Sequence, residues 1–214
     1  MDKSYTYATE QENFWAGGFG SEYIKRNQGN ELLASNLDFF SKALSSARGF
    51  SSCVEFGANI GMNLKALRLL YPHLTMHGIE INPEAARQLA EFIGRENVTE
   101  GSIIDVQPPD CDFAMIKGVL IHINPEMLQQ VYTRLVAATR RYLLVAEYYN
   151  PTPVTIKYRG NDDRLFKRDF AGEIIDSHPE MTLVNYGFVY HRDPVFPQDD
   201  VTWFLLEKKR DAQS

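Results

Sequence analysis

The sequence predicts an α/β fold: a seven-stranded, mostly parallel sheet with helices on both faces and a C-terminal antiparallel hairpin. Three observations carry this expectation. The stretch Cys53-Val54-Glu55-Phe56-Gly57-Ala58-Asn59-Ile60-Gly61-Met62-Asn63 reads as a buried strand, a glycine-containing turn and the start of a helix. Four later apolar runs alternate with helical patterns, the rhythm of βα units. The last two runs, Leu183 to Tyr190 and Val201 to Glu207, are joined by a segment too short for a crossover helix, so they pair antiparallel.

The elements follow in order. Residues 1–28 are polar with an aromatic thread, Tyr5, Tyr7, Phe14, Trp15, Phe19 and Tyr23, and Gly17-Gly18-Phe19-Gly20 reads as a hinge between two short helical pieces. Residues 30–47 form an amphipathic helix with Leu33, Leu37, Phe40 and Leu44 on one stripe. After the glycine turn a helix runs from Asn63, with Leu64, Leu67 and Leu70 on one side, and stops before Pro72. The second strand, Leu74 to Ile79, ends in Glu80. Asn82 and Pro83 supply a cap and a first helical proline for Ala85 to Ile93, which stops at Gly94.

Val98 to Ile104 is a third strand and its loop; Phe113 to Ile116 is a fourth, opening into Lys117-Gly118-Val119-Leu120-Ile121-His122. Asn124-Pro125 repeats the cap-then-proline device before the helix of Leu128, Val131, Leu135 and Val136, and Tyr142 to Ala146 is a fifth strand ending at Glu147. Residues 148–168 are turn-rich and basic, without clear periodicity, as expected of a functional connection. A helix capped by Asp169 follows from Phe170 to Ser177. The expected organisation is a helical lid or cap over residues 1–50 and one globular domain over 51–214.

A chain of 214 residues is long enough to bury a substantial core as one unit. Its formal net charge of −6 argues against sequence-independent nucleic-acid binding, which needs a basic surface. No apolar run approaches the roughly 20 residues that span a bilayer. Cys53 and Cys111 open strand-like runs and read as buried thiols, and the polar start Met1-Asp2-Lys3-Ser4-Tyr5 lacks a signal-peptide core. The expectation is a cytoplasmic protein with no membrane or nucleic-acid partner, monomeric or homodimeric.

The chemistry begins at the glycine turn. A dinucleotide fold wants three glycines where a pyrophosphate meets the helix start; here Asn59 stands between Gly57 and Gly61, and Glu55 lies just ahead. A carboxylate repels a pyrophosphate but attracts the ammonium of a methionine moiety. Glu80 lies about 20 residues past the turn, where a carboxylate can accept hydrogen bonds from both ribose hydroxyls. Ser102 and Ile103 fall where a third strand delivers groups to an adenine. Together these favour S-adenosylmethionine in a Rossmann-like fold over a nicotinamide nucleotide.

Glu55-Phe56-Gly57-Ala58-Asn59-Ile60-Gly61, Glu80 and Lys117-Gly118-Val119-Leu120-Ile121-His122-Ile123 resemble class I S-adenosylmethionine-dependent methyltransferases. More narrowly, Gln11-Glu12-Asn13-Phe14-Trp15, Glu147-Tyr148-Tyr149-Asn150-Pro151-Thr152-Pro153, Tyr190-His191-Arg192-Asp193-Pro194 and Phe196-Pro197-Gln198-Asp199-Asp200 resemble methylases associated with pseudaminic acid biosynthesis. The resemblance implies carbohydrate biosynthesis and a nonulosonic sugar, or its conjugate, as acceptor. It implies that Trp15, Glu55, Gly57, Ala58, Asn59, Gly61, Asn63, Glu80, Ile81, Ser102, Ile103, Lys117 and Gly118 hold the cofactor. Many superfamily members carry aspartate where this chain has Ser102.

A hydroxyl acceptor must lose a proton, so a group that titrates near neutrality is wanted where the methyl emerges. His122 is the first candidate base, followed by His191 and Glu147. Arg26, Arg159, Lys167, Arg168 and Arg192 are candidates to clamp an anionic acceptor, and Tyr148 and Tyr149 to stack on a sugar ring. No cluster has metal-ligand spacing. Two alternatives stay open: a non-catalytic adenosyl-ligand binder, and a nucleotide-dependent oxidoreductase.

Overall fold

The computed structural model describes residues 7–158 and 161–209, excluding the side chains at 25, 26 and 157–164. Three helices come first: α1 (Glu10–Ala16), α2 (Gly18–Arg26) and α3 (Asn30–Ala43). The alternating part comprises β1 (Ser52–Phe56), α4 (Met62–Leu70), β2 (Thr75–Glu80), α5 (Pro83–Ile93), β3 (Val98–Glu100), β4 (Cys111–Lys117), α6 (Leu128–Ala138) and β5 (Thr139–Glu147). A hairpin of β6 (Val154–Tyr158) and β7 (Asn161–Lys167) precedes α7 (Phe170–Ser177), β8 (Met181–Val189) and β9 (Val201–Lys208).

The main sheet has seven strands in the order β3-β2-β1-β4-β5-β9-β8. All pairs from β3 to β5 are parallel, and β9 pairs antiparallel with both β5 and β8, as the short connection requires. The crossovers after β1, β2 and β4 carry α4, α5 and α6, whereas β3 returns to β4 through a loop without a helix. Alternation in β1 sends Cys53 into the core shared with Phe39, Phe40, Leu64 and Leu89, and Val54 into the core shared with Val131, Leu135, Phe170 and Ile174. Helices α3, α4 and α5 thus cover one face, and α6 and α7 the other. Among the described residues no helix is long and apolar enough to cross a membrane.

Strand order reverses at β1, which pairs with β2 on one side and β4 on the other. The crevice beyond the carboxyl ends of β1, β2 and β4 is therefore a topological switch point, where open α/β sheets bind ligands. Two expectations need correction. Helix α3 ends at Ala43, and Leu44 to Ala47 form a turn. The segment 148–168 contains the β6–β7 hairpin, outside the main sheet, with Leu165 and Phe166 buried. Among its described side chains only Leu165 and Phe166 are buried, and they are adjacent, so the apolar alternation by which a strand is read from sequence is missing.

Candidate active site

The turn after β1 is left-handed at three points, with φ of 78° at Gly57, 47° at Asn59 and 79° at Gly61. The backbone N–H groups of Gly57 and Ala58 both donate to the Ile79 carbonyl at 2.9 Å, drawing the turn over the end of β2. Only glycine suits position 57, because a Cβ there would lie 2.5 Å from Val119 Cγ2. Beside the turn lies Glu80, whose Oε2 accepts the N–H of Asn59 at 2.7 Å and whose Oε1 accepts that of Asn82 at 2.8 Å. Burial pushes its pKa up, and those backbone N–H groups oppose the rise.

A crevice of about 190 Å³ opens over these strand ends. Gly57, Ala58, Asn59, Asn63, Glu80 and Ile81 line it on one side. Ser102 and Ile103 line it beyond β3, and Lys117, Gly118 and His122 beyond β4. Ser102 is buried and accepts the Ile104 N–H on Oγ at 3.1 Å, so its hydroxyl hydrogen remains to be donated. Trp15 completes the wall and stands against His122 with ring centroids 4.7 Å apart. These twelve sequence-predicted residues are brought together.

The others are placed elsewhere. Gly61 caps α4 at the base of the turn, outside the crevice lining. Glu55 lies below the surface at 1% exposure, and it is Asn63 that reaches the crevice, donating to Glu55 Oε1 at 2.6 Å. Burial lifts the Glu55 pKa to about 8, against the opposing pull of Asn63 and Lys117. Lys117 is lowered by its own burial, while Glu55, Asp199 and Glu147 act to raise it. Its Nζ stands 5.3 Å from the centroid of the Phe39 ring.

Glu147 lies buried beneath the loop after β4, with Oε2 left without a hydrogen-bond partner. Its Oε1 accepts the N–H groups of Val119 and Leu120, each at 2.9 Å, and burial moves its pKa up to about 7. It holds that loop from below and does not line the crevice. His191 is exposed on the β8–β9 connection and pairs with Asp200 at 2.8 Å. Of the three candidate bases, only His122 borders the cavity.

Lys167, Arg168, Arg192, Tyr148 and Tyr149 also lie outside the lining. Arg168 pairs with Glu173 at 2.7 Å, and Lys167 Nζ lies 5.2 Å from the ring of Tyr148, whose hydroxyl donates to Asp199. Tyr149 and Arg192 are solvent-exposed. The Arg26 side chain and Arg159 lie outside the described residues.

Beyond Trp15, sequence reasoning missed the residues that the first three helices contribute to the lining. Gln11 and Glu12 from α1, Tyr23 from α2 and Asn36 from α3 all line the crevice. Asn36 had a legible signal: a polar residue in helical phase with Phe39, Phe40 and Ala43, all fully buried. Asn82 caps α5 as its sequence predicts, its Oδ1 accepting the N–H groups of Glu84 and Ala85. Its Nδ2 additionally lies 3.3 Å from the carbonyls of Trp15, Ala16 and Gly17, tying the α1–α2 junction to the end of β2.

No protein-family model matches the chain, and no curated protein matches it in sequence. Solved structures match it in shape. Magnesium protoporphyrin IX methyltransferase (ChlM) from Synechocystis PCC 6803 with bound SAM aligns over 95% of this chain and 100% of its own, at a TM-score of 0.67 and 10% identity. The 1,6-didemethyltoxoflavin-N1-methyltransferase of Burkholderia thailandensis, with its substrate and S-adenosylhomocysteine bound, aligns over 94% of this chain and 87% of its own, with TM-score 0.66 and 13% identity. The mitomycin 7-O-methyltransferase MmcR aligns over 94% of this chain and 61% of its own, with TM-score 0.63 and 15% identity. The chain has the Rossmann-like fold of these S-adenosylmethionine-dependent methyltransferases.

Proposed function

We propose that this chain binds S-adenosylmethionine in the crevice at the switch point and transfers its methyl group to oxygen or nitrogen of a small polar acceptor. The observation that carries the reading is Glu80: a buried carboxylate at the end of β2, oriented by two backbone N–H groups and bordering the cavity. Carboxylate oxygens have lone pairs left after one hydrogen bond each, so Glu80 is fitted to accept a sugar diol. Oε2 of Glu55, buried beneath Asn63, is an acceptor oxygen without a partner below the place where an ammonium tail would lie. When bound, S-adenosylmethionine supplies an electrophilic methyl carbon.

The chain's own part is to position and to exclude water. Ser102 and Ile103 flank the adenine position, and Gly57, Ala58 and Asn59 let the backbone approach the donor. Helices α1 and α2, held by Asn82, serve as the lid expected from the sequence. His122, against Trp15, takes the proton where the acceptor is a hydroxyl. A pseudaminic-type sugar or its conjugate is the acceptor that the sequence resemblance suggests.

The test is calorimetry and thermal melting with S-adenosylhomocysteine. Micromolar binding and a raised Tm are expected, both largely lost in Glu80→Ala. A response to a nicotinamide nucleotide with none to either adenosyl compound would overturn the reading in favour of an oxidoreductase.

A further inference from the structure

We infer that the Glu12–Asn36 side of the crevice is the acceptor subsite, and that it takes an amine nitrogen. The inference rests on the methyl-transfer reading above and narrows it. Glu12 and Asn36 come from different helices and border the same cavity, at 4% and 1% exposure. Each has one buried side-chain oxygen without a hydrogen-bond partner, Oε1 of Glu12 and Oδ1 of Asn36. Leaving a buried acceptor unpaired costs about 1–3 kcal/mol, and more when it is charged. Two such acceptors at one cavity are an unmet demand for N–H or O–H donors.

Glu12 is not free to turn away. Its Oε2 accepts both the N–H and the hydroxyl of Thr9 at 2.8 Å, in the capping box that starts α1. Charge then selects among donors. Among the described residues, the acids bordering the cavity are Glu12 and Glu80, and the one lysine, Lys117, already feels Glu55, Asp199 and Glu147. Trp15 and Tyr23 add aromatic rings, 5.2 Å apart and edge to face, on the same wall. Carboxylate, amide oxygen and aromatic rings suit a nitrogen that bears hydrogen and gains positive charge. An anionic group meets no such welcome, but a sugar carrying an amino group does.

In the transfer, the lone pair of the neutral amine forms the N–C bond while the C–S bonding pair passes to sulfur. The resulting ammonium gives up its extra proton to solvent. Developing positive charge on nitrogen is the quantity that Glu12 stabilises.

The donor's own amino group also carries N–H, so the experiment separates the two sources. The protein saturated with S-adenosylhomocysteine is titrated calorimetrically with 2-phenylethylamine, 2-phenylethanol and phenylacetate. The amine should bind at least tenfold tighter than either analogue. Glu12→Gln should remove that preference while S-adenosylhomocysteine affinity stays within twofold. Asn36→Asp, which adds a charge, should tighten the amine about fivefold or more. Equal binding of the three probes, or no change in Asn36→Asp, would overturn the inference. A tenfold loss of S-adenosylhomocysteine affinity in Glu12→Gln would also overturn it, assigning the oxygen to the donor. Failure of the wild type to bind S-adenosylhomocysteine at all would instead remove the methyl-transfer reading beneath it.

Discussion

Glu80 Oε2 accepts the backbone N–H of Asn59 at 2.7 Å, fastening the end of β2 to a residue held at a left-handed φ of 47°. The same carboxylate holds Asn82, which in turn holds the α1–α2 junction. One side chain thus orients the glycine turn, the crevice floor and the helices above it. Glu80→Ala leaves two N–H groups, that of Asn82 buried and that of Asn59 half-buried, without their acceptor. Urea unfolding should show a loss of about 2–3 kcal/mol, and calorimetry at least a tenfold loss of S-adenosylhomocysteine affinity. Glu80→Gln, which keeps one acceptor oxygen, should lose less of both.

Gly57 and Gly118 both have positive φ, 78° and 69°, but differ in surroundings. A Cβ at 57 would meet Val119 Cγ2 at 2.5 Å, whereas nothing lies within 4 Å of one at 118. Gly118→Ala should cost only the conformational penalty, about 1–2 kcal/mol. Gly57→Ala adds a steric clash with a branched side chain and should cost distinctly more. Thermal melts of the two variants side by side check the ranking.

Burial raises the Glu55 pKa to about 8 in the folded chain, far above its ordinary value of 4.5. The folded state therefore binds more protons than the unfolded state between those two values. Stability from this group is complete below about pH 4.5 and is lost as pH rises through about 8. Glu55→Gln keeps an acceptor for Asn63 and removes the titration. Its unfolding free energy should fall less steeply with pH than that of the wild type over this window. Each pKa unit corresponds to about 1.4 kcal/mol, an upper scale for the difference. Parallel profiles would show that Glu55 does not titrate there.

Glu147 acts from below the loop after β4 through the N–H groups of Val119 and Leu120. Glu147→Ala should destabilise the protein by about 2–3 kcal/mol and loosen the loop that carries His122. Glu147→Gln, with an acceptor oxygen retained, should recover most of the stability. If Glu147 were instead the catalytic base, Glu147→Gln would stay stable yet lose turnover. Stability and turnover measured on both variants distinguish the two roles.

What the sequence determined alone is what a few consecutive residues encode. Cys53 to Asn63 carries a buried strand, two turn glycines and a helix start within eleven positions, and Asn82-Pro83 starts its helix by capping chemistry that needs no distant partner. Even Glu80 was legible, because the length of one βα unit fixes where the next strand ends. Tertiary structure decided which of these groups meet. It left Glu55 beneath the crevice with Asn63 above it, set Glu147 under a loop rather than at the cavity, and kept Lys167, Arg168 and Arg192 out of the lining. It also brought Glu12 and Asn36, from two separate helices, to one wall with an oxygen each unpaired. Periodicity and turn chemistry are local, so a chain displays them directly. Whether a buried polar atom finds a partner depends on how distant segments converge, and that is settled only when they pack.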